Sequence, residues 1–202
     1  MYLAASPTGV LIPAVPTAQA LCPSCQSPVQ AKCGSVNIWH WAHHARTDCD
    51  TWAEPDSRWH HHWQALFPLD RVERPIRVGD TLHRADALTP TGTVIEFQHS
   101  ALSVADIRAR EDFYCDMLWV WDVQDADARE RLTLRHKAPE NYSTFQWSHA
   151  RRSLLACRKP VYLHLQDDLF HVRKFHPGPP VRGWGHLVPF SSFCDAIIGG
   201  AR

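Results

Sequence analysis

In "HRADALTPTGTVIEFQHS", residues 83–100, two acids and an amide occupy places where a sheet normally takes valine or isoleucine. Two short apolar segments flank the turn signal Thr89-Pro90-Thr91-Gly92, the pattern of a β-hairpin. Asp86 lies in the first segment, Glu96 and Gln98 in the second. Side chains alternate faces along a strand, so Val94, Glu96 and Gln98 share one face and Ile95 and Phe97 the other. A turn centred near Thr91 sets Asp86 opposite Glu96, with Cβ atoms about 4.5–5.5 Å apart. Carboxylates that close repel unless a cation lies between them, and burial raises the pKa of at least one. A hard divalent ion, Mg²⁺ or Mn²⁺, removes the conflict. It takes oxygen ligands, a few from protein and the rest from water and substrate phosphate. Gln98 is then placed to hold a metal-bound water. The plainer reading is an edge hairpin with a solvated polar face.

A second group of residues suits a softer metal. "CPSC" puts Cys22 and Cys25 two residues apart, a knuckle that grips one tetrahedral ion. "HWAH" supplies His40 and His43, and Cys49 follows. Cys22, Cys25, His43 and Cys49 make the favoured closed zinc site, with His40 a near-equal substitute for His43. If residues 38–43 form a strand, the two histidines face opposite ways and only one need bind. Cys33 and His44 are weaker candidates. The plainer reading is a reduced, buried cysteine pair beside surface histidines. Seven cysteines, an odd number with four of them between residues 22 and 49, favour metal over disulfides in a reducing compartment.

These side chains need elements to hold them. "YLAASPTGVLIPA" reads as a hairpin turning at Pro7-Thr8-Gly9. Residues 56–66 read as a helix with Pro55 in its first turn, Trp59, Trp63 and Leu66 at helical spacing, and Pro68 beyond its end. "VERPIRV", residues 72–78, is a strand, at an edge because of Pro75. Ser103 caps a helix running to about Cys115, with Ile107, Arg110 and Tyr114 on one face. "MLWVWDV", residues 117–123, is a central strand, and "VYLHLQDDLFHVRKF" is two strands around Gln166-Asp167-Asp168. Strand, hairpin, helix, strand predicts a mixed sheet with helices packed on it. A composition shift near Thr51 divides residues 1–50, a Cys/His module, from residues 51–202.

Lys+Arg and Asp+Glu balance at 21 each over 202 residues, so no global basic field announces nucleic acid. The charge is uneven, however. Between residues 126 and 160, Arg129, Arg131, Arg135, Lys137, Arg151, Arg152, Arg158 and Lys159 face only Asp127, Glu130 and Glu140. That segment can follow a phosphate backbone, or it is simply a solvated face. No stretch approaches the roughly 18 apolar residues of a spanning helix, and the uncharged start, broken by Pro7, Pro13 and Pro16, does not read as a secretory signal. A cytoplasmic protein is expected.

Taken in order, "CPSC", "HWAH" with Cys49, "DSRWHHHW", "RADAL", "IEFQHS", the Ile107–Arg110–Tyr114 face and "LWVWDV" resemble the competence protein CoiA-like nuclease family. The resemblance runs from about residue 21 to 123. It implies a restriction-endonuclease-like α/β core of the PD-(D/E)xK class, a mixed sheet flanked by helices, with a small N-terminal zinc-binding module. Asp86 would be the motif's aspartate and Glu96 its second acid, with Gln98 in place of the usual lysine. Asp56 looks like the helical acid that completes such sites, with Glu54 close by. His60, one turn after Asp56, would share its face. Arg110 would steady a carboxylate or the scissile phosphate, and Tyr114 would do similar work. The expected function is metal-dependent hydrolysis of DNA, in DNA uptake or in defence against foreign DNA. It would use catalytic Mg²⁺ or Mn²⁺ and structural Zn²⁺. The competing expectation is a catalytically inactive zinc-containing module that binds DNA or protein. A zinc hydrolase built on "WHHHW" is weaker still, because no i, i+4 histidine pair with a neighbouring Glu is present.

Overall fold

The computed structural model describes residues 1–44, 49–52 and 57–199. It is a mixed α/β structure, and the chain divides into two compact units, Met1–Leu88 and Thr89–Arg202. The compositional boundary near residue 51 falls inside the first unit, where Asp50 accepts hydrogen bonds from later residues.

The first unit opens with five short strands: β1 (Leu3–Ala5), β2 (Leu11–Pro13), β3 (Gln19–Leu21), β4 (Pro28–Lys32) and β5 (His40–His43). They form an antiparallel sheet in the order β2-β1-β3-β4-β5. The first hairpin turns where Pro7-Thr8-Gly9 predicts. Ser6 and Val10 close it (N–H to O, 2.8 Å), and Gly9 supplies the φ of +82° that a β-carbon would penalise. The core of this sheet is small, made of Ala4, Ala14, Ala20, Cys22, Val29 and Trp41. Three alanines bury little apolar area, so packing alone holds the sheet weakly.

Helix α1 (Arg58–Gln64) follows, shorter than the expected 56–66. Ser57 is its N-cap and accepts from the His60 N–H at 3.1 Å. Trp63 and Gln64 face inward. Next come β6 (Val72–Val78), with the bounds the sequence predicts, and β7 (Thr81–Leu88), paired antiparallel across a turn at Gly79. Along β7, His83, Ala85 and Ala87 are buried, whereas Arg84, Asp86 and Leu88 on the other face are half-buried.

The second unit carries β8 (Val94–Gln98), α2 (Val104–Tyr114), β9 (Met117–Asp122), α3 (Gln124–Ala128), β10 (Leu132–Lys137), β11 (Tyr142–Trp147), β12 (Val161–His164), β13 (Asp168–His176), β14 (Val181–Pro189) and α4 (Phe190–Ile198). Its strands run in the order β10-β11-β14-β13-β12-β9-β8. The β8–β9 and β9–β12 pairs are parallel and the others antiparallel. Helix α2 is the crossover of a β8–α2–β9 unit. It is capped as expected: Ser103 accepts from Asp106 N–H at 3.1 Å while the Asp106 carboxylate reaches back to Ser103. All five positions of β8 are buried, so the solvated-edge reading of that strand is overturned: parallel pairing to β9 covers it.

One buried acid organises the middle of this unit. Glu111 on α2, 1% exposed, accepts at Oε1 from Trp119 Nε1 (3.1 Å), Arg158 N (2.8 Å) and Lys159 N (3.0 Å). Its Oε2 takes Arg158 Nε at 2.9 Å. Replacing it by Ala strips a buried acceptor from four donors at once. Glu111→Ala is expected to lower unfolding stability by about 3–5 kcal/mol, the range for breaking a buried, charge-assisted set. Chemical denaturation measures it, and a loss under 1 kcal/mol refutes the assigned role.

His171 on β13 stacks on Tyr162 with ring centroids 4.3 Å apart. Burial, Arg173 and His186 together push its pKa down to about 4. The folded protein thus favours the neutral ring, and the unfolded chain takes up the proton first. Stability present at neutral pH is lost as the pH falls from about 6.5 toward 4. His171→Phe is expected to remove on the order of 1 kcal/mol of the difference between pH 7 and pH 5, discounted for partial exposure. Denaturation of both proteins at the two pH values tests this.

Candidate metal centre and acid site

The Cys/His module folds its favoured ligands together. One ligand atom from each of Cys22, Cys25, His43 and Cys49 lies within 4.8 Å of all the others. The Sγ atoms of Cys22 and Cys49 are 3.6 Å apart, and Cys25 Sγ is 3.3 Å from His43 Nε2. In tetrahedral zinc coordination with bonds of about 2.3 Å to sulfur and about 2.0 Å to nitrogen, those edges are about 3.8 and 3.5 Å. The donor set and its spacing fit a structural zinc ion. The alternative ligand His40 sits at the start of the same strand, and its Nδ1 is engaged by Ile38 O at 2.8 Å.

Electrostatics in the cluster points the same way. Burial pushes the Cys49 thiol up to about 12, helped by Cys22 and Cys25. Cys25 is also resisted by burial, but hydrogen bonds from the Ser27 side chain and backbone, from His43 and from Cys22 outweigh it and bring the thiol down to about 6. The protein by itself favours one thiolate and disfavours another beside it. A divalent ion supplies the charge that lets several coexist.

Cys49 is followed by a residue the sequence did not single out. Asp50, 4% exposed, accepts at Oδ1 from Trp52 N (2.9 Å) and pairs with His83 Nδ1 (2.8 Å). Its Oδ2 takes Arg84 N at 2.7 Å. The Trp52 ring stacks on His83 with centroids 3.3 Å apart. The cysteine module is therefore tied directly to β7, the strand of Asp86. The signal was present in outline: Asp-Thr-Trp can form a local turn from Asp Oδ to the N–H two residues on. Nothing local told of His83.

Glu73 was also missed. It has a φ of +47°, rare for a residue with a β-carbon, and lies between the paired positions Val72↔Ala87 and Arg74↔Ala85. Its carboxylate, 6% exposed, accepts from Leu3 N at 2.7 Å and faces Arg84 Nε at 3.5 Å. Burial works against the Arg84 charge, but Glu73, Asp50, Cys22 and Asp86 outweigh it and hold the pKa above its ordinary value. The strained backbone thus holds an acid that pins β1 to β6 and balances a buried guanidinium.

Asp86 faces His60 in this unit, Nε2 to Oδ1 at 3.0 Å. His60 lies on α1, which begins at Arg58, and is turned to Asp86. Asp56 and the nearby Glu54 lie outside the described residues.

In the second unit, Glu96, Gln98 and Arg110 are 4%, 1% and 5% exposed. Arg110 Nη1 donates to Glu96 Oε2 at 3.1 Å and to Gln98 Oε1 at 3.4 Å. Gln98 Nε2 in turn donates to Ser100 O (3.0 Å) and Ser100 Oγ (3.2 Å). Arg110 therefore steadies a carboxylate from a buried position. Tyr114, one turn on, is 8% exposed and edge-on to Phe113 with centroids 5.1 Å apart. The turn before β8 is closed by Thr89 N to Thr93 O at 3.0 Å, which centres it on residue 91.

Residues 17–51 match the family model "Competence protein CoiA, N-terminal domain". That span holds all four residues of the Cys/His cluster. Neither the curated proteins nor the solved structures yield a match to the chain. No helix among the described residues is long and apolar enough to cross a membrane.

Proposed function

We propose that this chain is a metal-dependent nuclease that hydrolyses DNA phosphodiester bonds, built on a restriction-endonuclease-like core. The match over residues 17–51 suggests a competence-related setting such as DNA uptake, with defence against foreign DNA the other. The observation that carries the reading is the buried set Glu96–Gln98–Arg110 on a strand and its crossover helix. Burying an ion pair and an amide stabilises less than packing apolar groups there, so such a set is retained for what it does.

In this reading Asp86 and Glu96 would be the residues that hold one or two Mg²⁺ or Mn²⁺ ions. The chemistry such an ion would supply is a lower pKa for bound water and an offset to charge developing on the phosphate. His60 orients Asp86, and Arg110 orients Glu96 and limits its repulsion toward a second acid. Gln98, fixed by Ser100, keeps the guanidinium in place, and the second lone pair of its Oε1 is the one that would accept from the water. Being neutral, it adds less charge stabilisation than a lysine, so slow turnover is expected. Tyr114 and Asp56 are assigned supporting roles by resemblance only.

The test is incubation with plasmid and single-stranded DNA in Mg²⁺ or Mn²⁺, beside Asp86→Ala and Glu96→Ala. Metal-dependent cutting that both substitutions abolish supports the nuclease. Wild-type binding without cutting, undiminished in both variants, supports the inactive binding module instead.

A further inference from the structure

The sheet of the second unit has one face that the proposed site does not use. Strands β10, β11, β14 and β13 lie side by side, and their registers stack side chains into rows. Arg135, Thr144, Trp184 and Lys174 are paired in succession across the four strands. The next row in one direction aligns Gln146, Arg182 and His176. In the other direction Lys137 pairs with Tyr142. Strand spacing of about 4.8 Å puts the Arg135 and Lys174 backbones about 14 Å apart, with the indole between them.

This face forms an open groove of about 800 Å³, and among the described residues no acidic one lines it. The opposite face is the packed one. There the rings of Phe145 and Phe170 lie over Gly183 and Gly185, where a β-carbon would come within 2.5 and 2.9 Å of them. The groove face instead leaves Trp184 36% exposed, propped edge-on by Tyr142 at 5.7 Å. An indole kept upright in water between cations is built to receive a flat, anionic partner.

The wider basic segment is narrowed by its own pairings. Arg129 and Arg131 are paired to Asp125, Arg158 to Glu111 and Asp112, and the Lys159 ammonium to Cys115 O. Arg135 and Lys137, from that segment, point into the groove with Arg182 from β14.

We propose that this groove binds single-stranded nucleic acid, with an unpaired base stacked on Trp184 and phosphates held by Arg135, Lys137 and Arg182. Charge complementarity favours a polyanion, and the exposed indole favours one with accessible base faces over a duplex. The proposal shares the nucleic-acid part of the reading above and needs none of its hydrolysis.

The experiment is fluorescence anisotropy of the full chain with labelled 15-nucleotide oligo-dT, oligo-rU and a mixed-sequence duplex, without added divalent ions. Both homopolymers are expected to bind more tightly than the duplex. Trp184→Ala should weaken binding about 5- to 100-fold, the range of base–aromatic stacking, and Trp184→Phe should restore most of it. Arg135→Ala combined with Arg182→Ala should flatten the salt dependence by about two phosphate contacts. Without divalent ions no metal-dependent cutting proceeds, so loss of binding is read separately from loss of cutting. Near-UV circular dichroism confirms that each variant is folded. Wild type that binds neither homopolymer, binding of the duplex equal to theirs, or folded Trp184→Ala and arginine variants within twofold of wild type each overturns the proposal. A preference for dT or rU identifies which nucleic acid the groove takes.

Discussion

Cys25→Ser and Cys49→Ser are expected to leave the five-stranded sheet unfolded at 25 °C, with zinc content falling from about one ion per chain to near zero. The reason is the size of the core. Strands of three to five residues around alanines, one valine and one tryptophan cannot offset the chain entropy of some forty residues. A closed four-ligand zinc site contributes on the order of 10 kcal/mol at neutral pH, more than the whole stability of many domains. Elemental analysis and the near-UV signal of the buried Trp41 report the two effects. His40→Ala serves as the control and should keep its zinc, because the histidine that approaches the thiols is His43. Metal-free protein with an unchanged unfolding transition would sink the assignment. Disruption should also reach β7, since Asp50 beside Cys49 holds His83 and Arg84. Zinc removal should therefore depress any cutting activity without touching a catalytic acid.

Asp86→Ala and Glu96→Ala should each lower DNA cutting by about 10³-fold or more. A metal-organised phosphoryl site supplies several kcal/mol of transition-state stabilisation, and each 1.4 kcal/mol is about tenfold. Glu96 needs a separate control, because Ala there also takes from Arg110 a buried counter-charge, at a cost of about 3–5 kcal/mol in stability. Glu96→Gln keeps an acceptor for the guanidinium and removes only the charge. It should fold, bind Mn²⁺ more weakly in calorimetry, and cut as poorly as Glu96→Ala. Full cutting by Glu96→Gln excludes a metal-ligand role for this residue.

Local chemistry made much of this legible. "CPSC" and "HWAH" pointed to a cluster that could hold a metal, because thiolates two apart can grip one ion, and the fold adds the closing distances. Ser103 with Asp106 three residues on fixed the start of α2, since a capping box is satisfied within four residues. Alternation in "VIEFQHS" put Glu96 and Gln98 on one face, because the strand period is two. Residues 126–160 read as a basic segment, and the structure divides it, pairing Arg129 and Arg131 with nearby Asp125 and Arg158 with distant Glu111.

What the sequence determined by itself were features whose partners lie within a few residues: turns, caps, strand faces and the Cys22–Cys25 knuckle. Only the tertiary structure decided that Asp50 holds β7, that Glu73 reaches Leu3 seventy positions away, and that β14 lies between β11 and β13 to complete the groove around Trp184. Hydrogen bonds and register between distant segments depend on how the chain closes long loops, and side-chain spacing along the chain carries no record of that closure.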